Sequence, residues 1–295
     1  MERRPLIAEK RTTLVGARRR GCDQHADPSR HDAAVSVSPP ADPAPDLVRG
    51  LVAELIESWD AEVGAHSTGS QNFHRYPAVY GLVAHAHRMA DAACVLLGMG
   101  KVFESIPLVR STFESAITAH WLLRVDGAVD LLQHSRRQRR AMRRTFLQVH
   151  PDAQLETDDP QADEDLLPGL SGEQARRFDL RCEDLAPGGA SLYLHYRMLS
   201  SSTHASHYVI DQYLELPEGR DVPTLRKHAR DNVGGDDGAV EYYQLAISLV
   251  WAGRAVNVLQ ADKQRRSLLQ RASRQLHCPL DLKVSTSAWL REHSP

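Results

Sequence analysis

Residues 105–125 read SIPLVRSTFESAITAHWLLRV. Wound as a helix, this stretch puts Ile106, Val109, Phe113 and Ile117 on one stripe and Leu108 and Leu122 on the opposite side. A helix that is apolar on more than one side has no solvated face, so it belongs in the middle of a bundle. The same stretch also carries Arg110 and Glu114 at i, i+4, and His120 inside the apolar stripe. A buried charge without a partner costs several kcal/mol, so these groups must find one another or find matches on neighbouring helices.

Outward from this segment the helical period continues, and nothing alternates for long enough to suggest a sheet. Upstream, DLVRGLVAELIESWDAEV opens at Pro45 and Asp46 as start signals. PAVYGLVAHAHRMADAACVLLGMG then turns Val79, Leu82, Val83, Ala86, Met89, Ala90, Ala93, Leu96 and Leu97 to one side and stops at Gly98 and Gly100. Downstream, AVDLLQHSRRQRRAMRRTFLQV is expected to face Leu131, Met142, Phe146 and Val149 inward and its arginines outward. HPDAQLETDDPQADEDLLPG breaks the pattern with prolines and acids and reads as a solvent loop. A short helix near GEQARRFDLRCEDL leads to YRMLSSSTHASH (196–207), expected to be one helix through Leu214. AVEYYQLAISLVWAGRAVNVLQA is apolar nearly all round and should also be central, and RRSLLQRASRQL reads as a surface helix. The expected fold is all-α: a single bundle of about six to eight helices over 46–276, with a disordered Arg/Pro-rich arm over 1–45 and a tail over 277–295 that offers no reading. No 20 to 50 residue repeat recurs, which argues against a solenoid.

Composition narrows the function. Thirty-six Lys and Arg stand against 38 Asp and Glu, a formal net charge of -2, which argues against wholesale nucleic-acid or membrane binding. Cys22, Cys94, Cys182 and Cys278 are scattered singly, as in a reduced compartment. The Arg-rich start lacks the apolar stretch of a secretory signal, and no later run is long and charge-free enough to span a bilayer. The chain therefore reads as cytoplasmic, with long apolar helices that favour homo-oligomers and no heptad seam to specify one.

Phosphate-loop, dinucleotide and nucleophile-elbow glycine patterns are absent, which leaves no expected cofactor. His85 and His87 in VAHAHRMAD suggest a metal, but residues two apart on a helix point away from each other, and the i, i+4 pair His87 and Asp91 lies off the apolar stripe. These histidines read as surface groups, with no metal site. RRQRRAMRR (136–144) could grip phosphates, yet an amphipathic helix normally puts its solvated charges in such a place. The more informative signal is polarity where core is expected. Besides Arg110, Glu114 and His120, the last strong helix carries Arg254 and Asn257 along the stripe of Tyr243, Ile247 and Val250. YRMLSSSTHASH would turn Tyr196, Leu199, Thr203, His207, Ile210 and Leu214 inward, with Arg197 and His204 along its edge. The candidate binding set is therefore Arg110, Glu114, His120, Tyr196, His207, Arg254 and Asn257, a converged polar cluster that could receive a small molecule or a protein partner.

LVRSTFESAITAHWLL and YRMLSSSTHAS resemble an uncharacterised bacterial all-helical domain-of-unknown-function family, whose members pair an Arg-x-x-x-Glu helix with a later Leu-Ser and His helix. The resemblance covers roughly Leu82 to Leu259 and implies no activity. A looser resemblance is to the HEPN superfamily, helical bundles of toxins and anti-phage systems, several of which cut RNA without metal using an Arg followed by a His. It implies an endoribonuclease acting on RNA, with His204 as general base or acid at a ribose 2'-hydroxyl and Arg197 stabilising the phosphorane. Met198 stands where those proteins carry a polar residue directly after the Arg.

Overall fold

The computed structural model describes residues 42–61, 75–153, 172–215, 222–230 and 238–293. The arm expected over 1–45, apart from its last four residues, and most of the acidic stretch 150–169 lie outside them. In chain order the elements are α1 (Pro45–Asp60), α2 (Arg75–Gly98), α3 (Val102–Arg124), α4 (Ala128–Val149), α5 (Gly172–Arg176), α6 (Phe178–Glu183), β1 (Leu185–Ala186), α7 (Gly189–Ser201), α8 (His207–Gln212), β2 (Leu214–Glu215), β3 (Thr224–Leu225), α9 (Ala239–Leu259), α10 (Arg266–Gln275), β4 (Lys283–Val284) and α11 (Thr286–His293). The fold is all-α. Its strands are two-residue antiparallel ladders, β1 with β4 and β2 with β3.

Four helices make the core: α3 packs on α2 and α9, and α1 and α2 also lie against α9. The reason is visible in the side chains. Phe113, Ile117, Trp121 and Leu122 of α3 are fully buried on different sides of the helix, as are Leu245, Leu249, Val250 and Val256 of α9. Burying a Leu or Phe side chain contributes about 1.5–3 kcal/mol each, so these two helices anchor the bundle. α1 starts with Pro45 in its first turn and buries Val48, Leu51, Val52, Leu55 and Ile56. α3 ends where Val125 turns extended, and Gly127 lies so close under the Trp121 indole that an added Cβ would stand 2.0 Å from the ring. Only glycine lets the chain pass there into α4.

Three local expectations change. α4 has the predicted bounds but not the predicted inward face: Met142, Phe146 and Val149 are 69%, 43% and 67% exposed. Among the described residues its main neighbour is the five-residue α5, and none of them covers the apolar side chains of its last turns. His87 is buried rather than on the surface, because α1 widens the buried side of α2 and stacks Trp59 on the imidazole with ring centroids 4.4 Å apart. The helix expected through Leu214 is interrupted at residues 202–206. There the hydroxyls turn to the backbone: Ser200 and Thr203 donate to the carbonyls of Tyr196 and Leu199, and Ser201 donates to Met198, at 2.7, 2.8 and 2.7 Å. Ser206 donates to Ser201 O at 2.9 Å and caps α8 by accepting from Val209 N–H. Such side-chain bonds compete with the helix, and here they end one and start the next.

The segment after Gln275 is integral to the packing. Leu276 and Leu282 are fully buried, β4 pairs with β1, and Arg291 donates to the buried Asp184 at 2.8 Å. Trp121 Nε1–H donates to the same Asp184 carboxylate at 2.9 Å, tying α3 to the C-terminal segment.

Candidate functional site

α3 presents charged groups on two of its edges, and each set meets a carboxylate. On one edge Arg110, Glu114 and Thr118 face α6 and α7. Arg110 Nη2–H donates to the Tyr196 hydroxyl at 2.5 Å, and its guanidinium lies over the Tyr196 ring, 4.7 Å from the centroid. Arg181, from α6, donates to Thr118 Oγ1 at 2.8 Å and rests on Phe178, which in turn packs on Tyr196 at 4.3 Å. Glu114 sits between the two guanidiniums, 3.6 Å from Arg110 and 4.0 Å from Arg181. Both separations are beyond hydrogen-bond range, so the carboxylate interacts through charge alone. Arg110 Nε and Arg181 Nε are buried without a hydrogen-bond partner. Arg181 is 8% exposed, and burial pulls its pKa down, with Glu114 opposing.

On the other edge His120 and Arg124 reach Asp281, and α9 adds Arg254. Arg124 makes a close charge-assisted hydrogen bond to Asp281 Oδ1 and donates from Nε to Leu282 O at 3.0 Å. Arg254 donates to Asp281 Oδ2 at 3.3 Å, though its Nε is buried and unpaired. His120 Nδ1–H donates to Trp251 O at 3.3 Å. Its Nε2 accepts Leu282 N–H at 3.0 Å or, when it carries a proton, donates to Asp281 at 3.2 Å, one bond at a time. Partial burial works to raise the Asp281 carboxyl. His120, Arg124 and Arg254 outweigh it and hold that carboxyl well below the usual carboxylate range.

The sequence-predicted residues therefore separate. Arg110, Glu114 and Tyr196 come together where α3 packs on α6 and α7, while His120 and Arg254 belong to the Asp281 network. Asn257 is buried elsewhere, its Oδ1 accepting Arg265 N–H at 3.2 Å where α9 turns into α10. His207 is on the surface, paired with Asp211 at 2.9 Å. Arg197, in the last turn of α7, and His204, in the bend after it, are both exposed. Arg181, Arg124 and Asp281 were not foreseen. Arg124 follows His120 by four residues, a spacing that could have flagged it. Arg181 lies in a six-residue helix and Asp281 outside any helix, where no period exists to read.

Elsewhere, His87 Nδ1–H donates to Val83 O at 2.8 Å and burial lowers its pKa to about 3, so it is neutral at physiological pH. Burial pushes the Cys182 thiol up to about 12, which makes it a poor nucleophile. Among the described residues no group of three or more His, Cys, Asp or Glu could hold a metal ion, and no helix is long and apolar enough to cross a membrane.

No curated protein and no solved structure matches the chain. Residues 76–221, which run from α2 through α7 and α8 and include Arg110, Glu114, Arg181 and Tyr196, match the model of DUF5677, a family of unknown function.

Proposed function

We propose that the chain is a binding module without catalysis, and that its ligand or partner group enters between α3, α6 and α7 at Arg110, Glu114, Arg181 and Tyr196. One observation carries the reading: here two guanidiniums share a carboxylate they do not hydrogen-bond, and each keeps a buried N–H unpaired. An unpaired buried donor costs about 1–3 kcal/mol, a cost that a bound acceptor removes. His120, Arg254 and Asn257 serve the scaffold in this reading, and His207 plays no part. A thermal-shift screen of small metabolites tests it. A ligand should raise the melting temperature of the wild type and lose that effect in Arg110→Met. A screen in which no compound separates the two proteins removes the reading.

A second reading, a metal-independent endoribonuclease, is favoured by one observation: Arg197 and His204 are both exposed, as access to RNA requires. His204→Ala decides it. Unchanged RNA cleavage and growth toxicity eliminate the nuclease.

A further inference from the structure

Among the described residues, charge around Arg110 and Arg181 does not balance. Arg110 and Arg181 bring two positive charges and Glu114 returns one, while Thr118, Phe178 and Tyr196 bring none. The nearby Asp179 carboxylate is engaged by Arg177 at 2.5 Å. On α4 the His134 pKa is lowered first by burial and then by Arg176, with Arg181 and Arg137 adding to the effect. Arg181 is more than nine-tenths buried with Nε–H unpaired, and Arg110, whose side chain is 19% exposed, also has a buried Nε–H without a partner. An Nε–H beside an Nη–H is the edge with which arginine grips two oxygens of one carboxylate or phosphate, and Glu114 fills that edge on neither arginine.

Resting on the reading of these residues as the binding site, we infer that Arg110 and Arg181 form an oxyanion subsite for a small organic carboxylate or phosphate monoester, with Glu114 as the resident counter-ion that the ligand's anion competes against. Glu114 suits that role because its side chain is 35% exposed and held at 3.6 and 4.0 Å. It neutralises part of the surplus when the site is empty and costs little to displace. The assignment has a consequence opposite in sign to that of a ligand-contacting carboxylate: removing the Glu114 charge should strengthen binding.

The test is calorimetric titration of the full chain with phenyl phosphate, benzoate and the neutral benzyl alcohol. Glu114→Gln, which keeps the side-chain shape, should bind at least one of the two anions roughly tenfold tighter than the wild type, about 1.4 kcal/mol. Arg181→Lys, which keeps the charge but loses the bidentate edge, should bind that anion roughly tenfold weaker. Whichever anion responds more strongly identifies carboxylate or phosphate as the source. Equal or weaker anion binding by Glu114→Gln overturns the subsite. If benzyl alcohol binds in an Arg110-dependent way while neither anion does, the oxyanion assignment falls and the binding site stands. If all three probes bind neither the wild type nor Glu114→Gln, the assignment falls too, and the binding site rests on the metabolite screen alone.

Discussion

Asp281 and Glu114 are both carboxylates shared among guanidiniums along α3, yet they are served in different ways. Asp281 receives hydrogen bonds from Arg124 and Arg254, lies against His120, and is locked by the neighbouring Leu282 backbone. Glu114 receives none, and the arginines beside it spend their bonds on a tyrosine and a threonine. Groups brought together only to hold helices in register gain most by closing on one another, as they do around Asp281. The open arrangement around Glu114 gives up that gain, which is why it draws the functional reading and the Asp281 network the scaffold reading.

The sharpest way to break this contrast is to neutralise each carboxylate in turn. Asp281→Asn leaves two arginines facing each other in a partly buried network and should cost about 3–5 kcal/mol in urea unfolding, as expected when one partner of a buried pair is removed. Glu114→Gln breaks no hydrogen bond but leaves the buried Arg181 without its counter-charge, so it should cost less than that, about 1–2 kcal/mol. Equal losses would erase the distinction.

Acid titration of stability sharpens it further. His87 has a folded pKa of about 3, far below its unfolded value, so the unfolded chain takes up the proton first. Stability should therefore fall as pH drops from about 6.5 toward 3, with a limiting slope of about 1.4 kcal/mol per pH unit. Asp281 is depressed as well, so its contribution is present above the unfolded carboxyl pKa of about 4 and lost as pH falls below it. Asp281→Asn should weaken only the part below about pH 4, where Asp179 also contributes, and leave the His87 part in place, as read by unfolding midpoints across pH. The smallest effect belongs to the surface: His207→Ala breaks an exposed pair with Asp211 and should leave the melting temperature unchanged.

Much of this was legible in the sequence, for identifiable reasons. α3 and α9 announce themselves because long helices apolar on several sides have nowhere to go but the centre, and Arg110, Glu114 and His120 stood out as polar groups in that setting. What the sequence could not supply was pairing. Arg254 follows the same stripe as its apolar neighbours, but whether it meets Glu114 or Asp281 depends on where a C-terminal segment without helical period docks. The inward face proposed for α4 failed because amphipathicity states which side could be buried, not whether a neighbour is there to bury it. YRMLSSSTHASH reads as one continuous helix because the bonding of its serine and threonine side chains to the local backbone competes with helix continuation and leaves no trace in hydrophobic periodicity.

The most direct measurement of the central claim is side-chain NMR of the arginine Nε–H groups during titration with phenyl phosphate. The two-network account predicts that the Arg110 and Arg181 signals shift together while those of Arg124 and Arg254 stay fixed. Shifts at Arg124 and Arg254 instead, or no response from any of the four under saturating probe, would contradict it.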